Sequence, residues 1–407
     1  MGNIHNLKVI RQCLNFIENE DVRFPLSDHY VKKLTVMKSI RLFIASQLGK
    51  WESYDQIALE LQISETLQDS VGLPRISASQ LSRRLRTLPT EALEALFLER
   101  IAEAKSLMPV ACSKTGPIRI IDSTCLKLPA TLSNWAYVNR KMTQIKIHVR
   151  VVALPKGQVI PEKAIPTTGN VHDAETMDLL VEDDGTIYVM DRGYVKYKQF
   201  DAWLESGVRF VNRINEKHGV LHVEKEMTVP KDTPIVRDVI VRLGSAFRQT
   251  EQLLRLVEFV DDQGRKYRIV TSCFDLSAAE IADIYRQRWL IELFFKWMKQ
   301  HLRLVKLYSY EPQGVWNQIF LALIAYAIAM CIQLKSGTKL SLWDVLSSLR
   351  SCWDKEWTVL EAVLHPKPSR PSKGRQKVPE TTKQMPQLRA SVGIMKPRKA
   401  KLSAKKK

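Results

Sequence analysis

Four polar residues lie at regular positions along the largely apolar segment 285–299. They are Tyr285, Arg288, Glu292 and Lys299, at offsets of 0, 3, 7 and 14 residues. In a single α-helix, which turns by about 100° per residue, these side chains fall within roughly 60° of one another. Burying such groups without partners costs free energy, so the stripe must face a cleft, a partner or a ligand. Cations beside a carboxylate favour a polyanionic ligand, with a metal ion between the carboxylate and that ligand.

Two aspartates extend this pattern, because each one ends a predicted apolar strand. Asp122 lies in IRIIDSTCLKL (118–128), and Asp191 ends TIYVMD (186–191). If these strands are neighbours, the two carboxylates lie about 5 Å apart, and a helix packed on the sheet can bring Glu292 to the same point. One acid at a strand end is more often a turn or cap residue. The prediction therefore depends on the ordered set of three acids together with the helical stripe.

Three carboxylates gathered in this way predict a metal centre. They repel one another unless they are neutralised, and their hard oxygen atoms suit Mg²⁺ or Mn²⁺. Two such ions about 4 Å apart can activate a water or a DNA 3′-hydroxyl and stabilise the leaving oxygen of a phosphoryl displacement. We therefore expect Asp122, Asp191 and Glu292 to bind two divalent ions.

The strongly basic composition fits a nucleic-acid partner. The chain has 407 residues, with 62 Lys and Arg against 43 Asp and Glu, and its formal net charge is +19. Such an excess favours a polyanion. Much of it lies in segment 366–407, which has few apolar residues. We expect this segment to be a disordered basic tail that binds nucleic acid non-specifically or serves solubility.

Cysteine usage and hydropathy predict a cytoplasmic protein that does not associate with a membrane. The six cysteines are scattered and form no CxxC pair, which indicates reduced, buried thiols rather than a zinc site or a disulfide framework. The N-terminal residues lack the order of a signal peptide. The longest apolar run, 319–332, is too short to span a bilayer and predicts a core helix.

The elements that position the candidate residues fall into an N-terminal and a catalytic region. Residues 1–107 are predicted to be an all-helical domain, with Ser53 and Ser77 as N-caps. The helix after Ser77 presents Arg83 and Arg84 to solvent. It is either a helix that contacts DNA ends or the basic face of a small bundle.

Residues 108–365 are predicted to form an α/β domain. Their pattern of three strands, a helix over 173–182, a strand, a helix and a strand matches a ribonuclease-H-like mixed-sheet core. A β-rich insertion spans 215–271. Helices over 315–364 either contact a second copy of the chain or belong to the core.

These motifs resemble those of the DDE transposases of the insertion-sequence-four family, bacterial enzymes with a Tyr-Arg-Glu-Lys signature. The four residues of the stripe match that signature spacing for spacing. DRGY (191–194), followed by FVNR (210–213), is similar to the family's second-aspartate region, and IDST (121–124) to its first. The β-rich insertion is a further family trait. The resemblance covers roughly residues 20–340 of the chain.

The resemblance implies cut-and-paste transposition of an insertion sequence, through endonuclease and strand-transfer steps. In this family a divalent-metal site nicks the transposon end, and the freed 3′-hydroxyl attacks the other strand. A hairpin forms and is reopened, and the end then joins target DNA. The three acids would hold the metals, Tyr285 and Arg288 a phosphate of the non-transferred strand, and Lys299 the end DNA.

The implied partners are double-stranded DNA, both terminal inverted repeats and target, and a second copy of the chain in a synaptic complex. The implied location is the bacterial cytoplasm, at the nucleoid. Two alternatives remain open: a hydrolytic nuclease of the same fold, and a catalytically idle DNA-binding protein derived from a transposase. The intact set of three acids disfavours the idle protein.

One position departs from the family pattern. In relatives, a Trp in the insertion stacks on a flipped base, whereas this chain has Tyr267 at the matching place. Tyr267 either stacks on a base less strongly or is an ordinary strand residue. Arg192 and Arg213 either touch DNA phosphates or pair with nearby acids. Asp173 is predicted to be the N-cap of the helix that follows it, with a role near the active site as the less favoured alternative.

Overall fold

The computed structural model describes residues 7–17, 24–108, 116–229 and 231–366. The predicted basic tail lies outside the described residues from position 367 onward, and so does Cys112. Within the described part, residues up to His365 form one compact unit.

The N-terminal region is helical, with the predicted caps in place. The side chain of Ser53 accepts a hydrogen bond from the amide of Gln56, and Ser77 with Gln80 forms a complete capping box. The helices are α1 (Val9–Asn15), α2 (Pro25–Asp28), α3 (Val36–Gly49), α4 (Tyr54–Ile63), α5 (Glu65–Val71), α6 (Ala78–Thr87) and α7 (Thr90–Ser106).

The two arginines predicted to face solvent on α6 have different environments. Arg83 is exposed, whereas Arg84 is buried and ion-paired with Asp28. Arg84 also donates to the hydroxyl of Ser39 at 3.2 Å and to the carbonyl of Ser27 at 3.2 Å. The prediction of a solvent-facing Arg84 is therefore wrong, because the residue joins α6 to α2 and α3.

The rest of the chain is built on an eleven-stranded mixed sheet. Its strands are β1 (Ile118–Lys127), β2 (Tyr137–Asn139), β3 (Met142–Ala153), β4 (Val159–Thr168), β5 (Ile187–Met190), β6 (Arg209–Arg213), β7 (Val220–Glu226), β8 (Ile235–Ser245), β9 (Arg248–Gln249), β10 (Leu254–Val260) and β11 (Lys266–Thr271).

The order along the sheet is β2-β3-β1-β5-β6-β11-β10-β8-β7, with β4 paired to β3 and β9 to β8. The β1–β5 and β5–β6 pairs are parallel, and the other pairs are antiparallel. The strands of the predicted insertion, β7–β11, continue the same sheet, because β11 pairs with β6. The predicted α/β class is thus found as a mixed sheet with helices.

The centre of the sheet is buried on both faces. Successive side chains of a strand point to opposite faces. Ile120 accordingly joins a core cluster with the helices that follow the insertion, and Ile121 joins a second cluster with Phe200 and Phe210. All four residues of β5 are buried, as expected of a parallel strand covered on both sides.

The remaining helices pack on the sheet or on other helices. They are α8 (Met177–Leu180), α9 (Tyr197–Ser206), α10 (Ala278–Arg286), α11 (Trp289–His301), α12 (Pro312–Ser336), α13 (Leu342–Ser351) and α14 (Trp357–Leu364). The single helix predicted over 173–182 is instead a short 3-10 helix, Asp173–Glu175, followed by α8.

Helix α12 lies in the main hydrophobic core of the molecule. It is long and apolar enough to cross a membrane by length and composition, yet 94% of its most apolar window is buried inside the protein. It packs against α3, α6, α7 and α13. The prediction of a core helix over 319–332 is therefore confirmed.

Of the predicted buried cysteines, Cys125 is exposed, because it alternates with inward-facing neighbours on β1.

Candidate active site

Two parallel strands place the candidate aspartates side by side. Ile121 on β1 is in register with Met190 on β5, so the next residues, Asp122 and Asp191, stand on adjacent strands at one level. The expectation that the two strands are neighbours is met. Asp122 does not end its strand, however. Strand β1 continues beyond it, paired with β3, after β5 has stopped.

Asp122 is a partly buried acid that is ion-paired with Arg288. Its carboxylate accepts from the amide of Ser123 at 2.8 Å and from Arg288 Nη1 at 3.1 Å. Burial nevertheless raises the pKa of Asp122 to about 6. The neighbouring carboxylates Asp191 and Asp173 act in the same direction, against Arg288. A buried carboxyl group facing two others is a site that favours additional positive charge.

Asp191 contacts Tyr285 of α10 and lies near Arg213 of the neighbouring strand β6. The hydroxyl of Tyr285 donates to its Oδ1 at 3.1 Å, and Arg213 Nη1 lies 3.9 Å from the same oxygen. Burial, followed by the charge of Asp191, raises the pKa of Tyr285 above its ordinary value. Tyr285 is therefore a protonated hydroxyl donor at this carboxylate.

Arg288 joins the third acid to the first. Its guanidinium contacts Asp122 through Nη1 and forms an ion pair with Glu292 through Nη2. Two of the three candidate catalytic carboxylates thus share one cation. Both terminal nitrogens of a planar guanidinium can bond acids at once, which an ammonium group does less well.

The segment that carries the signature is not the single helix predicted from its spacing. Helix α10 ends at Arg286 and α11 begins at Trp289. Between them the amides of Arg288 and Leu290 bond to carbonyls three residues back, at 3.0 and 2.9 Å, so the chain tightens locally. The prediction of one continuous stripe is wrong in this respect. Tyr285, Arg288 and Glu292 still face the aspartates across the break.

Lys299 lies farther along β1. Its ammonium group donates to Thr124 Oγ1 at 2.6 Å and to the carbonyl of Cys125 at 3.1 Å. Burial lowers the pKa of Lys299 from its ordinary value. The lysine thus fixes α11 on β1 two residues past Asp122, at the edge of the acidic site.

Tyr267 has partners within the protein. Its ring stacks on Phe259 with centroids 5.0 Å apart, and the guanidinium carbon of Arg213 lies 4.6 Å from the ring centroid. Its hydroxyl donates to Asp261 at 3.3 Å. These are the contacts of a strand tyrosine, and they place the ring 5.8 Å from that of Tyr285.

The cavity beside Tyr267 is basic. It measures about 670 Å³ and opens next to the turn that follows Asp191. Its cationic lining residues are Arg192, Arg213, Lys217, Lys266 and Arg268. Arg83 and Arg84 are not part of this arrangement, since α6 packs on α3, α4 and α12.

Asp173 reaches the acidic site, although the sequence predicts an N-cap there. The actual cap is His172, whose side chain accepts from the amide of Ala174. Asp173 instead accepts from Ser123 Oγ at 2.7 Å and lies 3.2 Å from Lys146 Nζ. The signal was an acid at a strand-to-helix junction, which a cap explains equally well, so spacing alone did not distinguish the two roles.

The donor set suits a hard divalent ion by its chemistry. Carboxylate oxygens are the ligands that Mg²⁺ and Mn²⁺ prefer. Within the described residues, no group of three or more His, Cys, Asp and Glu is close enough to hold an ion. Arg288 occupies the space between Asp122 and Glu292.

Comparison with known proteins assigns the chain to a class. Residues 113–328, more than half of its length, match the family model described as the transposase DDE domain, and the protein belongs to that family.

Particular relatives refine the assignment. The chain is 29% identical over 315 residues to a probable transposase for insertion sequence element IS5377 of Geobacillus stearothermophilus, covering 76% of this chain and 80% of the relative. It is 31% identical over 215 residues to a putative transposase of Sinorhizobium fredii, covering 52% of this chain and 59% of that protein.

It is 26% identical over 194 residues to the transposase InsG for insertion sequence element IS4 of Escherichia coli, covering 44% and 42%. The predicted membership of the insertion-sequence-four family is confirmed, and with it a transposase function at an insertion sequence.

Proposed function

We propose that the protein cleaves DNA at the ends of an insertion sequence and joins those ends to target DNA, in a reaction that requires divalent metal. The observation that carries the proposal is that Asp122 and Asp191 follow paired residues of adjacent parallel strands, while Arg288 links Asp122 to Glu292 and Tyr285 donates to Asp191. This is a set of acids on rigid elements, held by side chains that can also bind phosphate. A ribonuclease-H-like core is part of the proposal. The antiparallel β1, β3 and β4, followed by the parallel β5 and β6, support it.

Asp122, Asp191 and Glu292 would hold Mg²⁺ or Mn²⁺, as two ions. When bound, such ions supply an activated hydroxyl nucleophile and stabilise the leaving oxygen of the phosphodiester. Arg288 offers a planar pair of donors, which matches two oxygens of one phosphate. Tyr285 offers a neutral hydroxyl donor and Lys299 a single positive charge.

DNA approaches this site along the basic cavity beside Tyr267. Five cations and two glutamates line it, and Arg268 is ion-paired with Glu258, so the cavity carries an excess of positive charge that can neutralise backbone phosphates in place of counterions. Exposed Arg83 and the basic tail provide further charge outside the site, with α6 as a candidate contact to the terminal repeat. Hairpin formation at the end is the finer part of the proposal. Tyr267 would support it by stacking on a base, which requires the ring to leave Phe259 or Arg213.

A second copy of the chain in a synaptic complex belongs to the same proposal. Helix α12 is buried and does not provide such a contact. Helix α14 exposes Val359 and Val363, and α13 exposes part of Trp343. These short helices are therefore the candidates that remain from the predicted 315–364 region. The protein would act in the cytoplasm, where the DNA is.

The test uses purified protein and end-labelled DNA from the flanks of its own gene, with and without Mg²⁺, on a denaturing gel. We expect a metal-dependent nick at the repeat boundary, and joined products when target DNA is added. Glu292→Gln should lower the cleavage rate by about a hundredfold or more while leaving DNA binding intact. Lys296→Gln is the matched control, since Lys296 is an exposed residue on the same helix.

Three outcomes are informative. Cleavage without joining would favour the hydrolytic nuclease. DNA binding without cleavage, in either Mg²⁺ or Mn²⁺, would favour the idle DNA-binding protein. A fold-back product of one DNA end would support the hairpin step.

A further inference from the structure

Asp173 contacts both β1, the strand that contains Asp122, and its neighbour β3. It lies in the short 3-10 helix after β4. Its Oδ1 accepts from Ser123 Oγ at 2.7 Å, and Ser123 in turn donates its amide to Asp122 at 2.8 Å. The same oxygen lies 3.2 Å from Lys146 Nζ and 3.5 Å from His148 Nδ1, both on β3. Asp173 therefore fixes β1 and β3 on one side of the site.

The other oxygen of Asp173 touches the turn after β5. A Cβ atom built on Gly193 would stand 2.7 Å from Asp173 Oδ2. Real Cβ atoms do not approach an atom this closely, so a side chain at residue 193 would displace the Asp173 carboxylate from its present position. That turn is a short 3-10 helix, Arg192–Tyr194, with Asp191 as its N-cap. Asp173 thus contacts Ser123, the residue after Asp122, and packs against Gly193, two residues after Asp191.

We infer that Asp173 is a positioning residue, which sets the separation of Asp122 and Asp191 by accepting a hydrogen bond from Ser123 with one oxygen and packing against the Gly193 turn with the other. The inference rests on the proposed DNA cleavage, because it assigns Asp173 to that same site. Asp173 acts through Ser123 and Gly193, and no contact with substrate is required of it. Catalytic groups must be held closely in their productive geometry by such supporting contacts.

The test is a double-mutant cycle in the full-length protein. It comprises wild type, Asp173→Ala, Gly193→Ala and the double variant, each assayed for single-turnover cleavage of labelled end DNA in Mg²⁺. We expect each single change to lower the rate about tenfold to a hundredfold, as misplaced catalytic groups do. The double variant should lose less than the product of the two losses, because removing the carboxylate makes room for the new Cβ.

Two further readouts separate positioning from folding and from DNA affinity. Gel shifts without metal should give the same end-DNA affinity for all four proteins. The rise in melting temperature on adding MnCl₂ should be smaller in both single variants than in wild type. If Asp173→Ala fails to fold, Ser123→Ala replaces it. That change removes the bond from β1 and keeps the carboxylate, and the rate should again fall with DNA binding unchanged.

The outcomes distinguish this inference from the proposed function. Wild-type protein that does not cleave contradicts the proposed function itself. If wild type cleaves, the inference is overturned by an Asp173→Ala rate within about twofold of it, or by losses that multiply in the double variant. Non-additive losses with unchanged DNA binding support it.

Discussion

Arg288 holds two of the three candidate catalytic acids with one side chain. Its partners Asp122 and Glu292 come from β1 and α11, so the guanidinium also joins the sheet to the helix. The contact has two uses. It compensates the charge of the acids in the free protein, and in the proposed reaction its donors would bind a phosphate of the DNA.

Removing this charge should weaken the fold. We expect Arg288→Gln to lower the free energy of unfolding by about 2 kcal/mol, because two partly buried carboxylates lose their hydrogen-bonded partner. Urea denaturation without metal measures the change. The control is Arg286→Gln, since Arg286 is nearly half exposed and pairs with the exposed Asp283. The control should change the free energy of unfolding by less than about 0.5 kcal/mol. Equal effects of the two substitutions would contradict a bridging role for Arg288.

At the residue scale, the sequence indicates which residue types could act together better than it indicates which partners surround each residue. The types and order of Asp122, Asp191 and Glu292 made them candidates, and the structure brings Asp122 and Asp191 side by side and links Glu292 to Asp122 through Arg288. Arg84 and Asp173 were misjudged, because their roles depend on distant partners. Asp28 lies 56 residues from Arg84, and Ser123 lies 50 residues from Asp173. Sequence periodicity carries no information about such pairs.

At the element scale, four charged side chains fasten β4 to its neighbours. Glu162 on β4 is buried and lies 2.6 Å from Arg119 Nε on β1 and 3.1 Å from Arg150 Nε on β3. Lys105 of α7 forms a further ion pair with it. Burial alone would raise the pKa of Glu162, but hydrogen bonds from Arg119 and Lys105 outweigh burial and lower it.

Glu162→Gln should therefore destabilise the protein by about 3 kcal/mol at neutral pH, since three cations lose their shared anion. The folded-state pKa is below the unfolded one. The stabilisation is thus complete above the ordinary glutamate pKa and is lost as the pH falls through the lowered folded value. Urea titrations from pH 7 downward should show wild type and variant converging in acid. Glu99→Gln, a half-exposed partner of Arg100, is the control and should show no such trend. A pH-independent difference would mean that Glu162 acts by packing.

The strands are the elements that sequence patterns predict best. A β-branched run located β1, alternation located β3 and a buried run located β5, because burial against a sheet face dictates those patterns directly. The break between α10 and α11 was not predicted. The residues around Gln287 contain no Pro or Gly, so the tightening has no local signal and follows from how both helices pack on the sheet.

At the scale of the whole molecule, the N-terminal helices and the sheet share one core. Asn317 of α12 is fully buried, donates to the carbonyls of Leu85 and Leu88 at 2.7 and 2.9 Å, and accepts from Thr90. The end of α6 is therefore bonded to α12, and α12 also contacts strand β4 of the sheet. The predicted boundary near residue 107 does not coincide with a gap in the packing of the described residues.

A fragment beginning at residue 108 should therefore not fold alone. Removing α3, α6 and α7 would expose the apolar surface of α12, and large exposed apolar patches lead to aggregation. We expect the fragment 108–407 to be insoluble or to bind a hydrophobic dye, and co-expression with the fragment 1–107 to restore a soluble complex. Circular dichroism and gel filtration measure both. A monomeric, cooperatively melting 108–407 fragment would show that the two regions are independent domains.

The edge of the sheet opposite β2 affects whether two copies of this protein can associate by pairing their strands. Strand β7 borders the sheet there, and its sequence carries Glu224, Lys225 and Glu226, all exposed. Its pairing with β8 is irregular at two places. Charged side chains and an uneven edge hinder strand-to-strand addition between molecules. If the proposed synaptic complex brings copies close together, this edge should hinder the growth of β-linked aggregates.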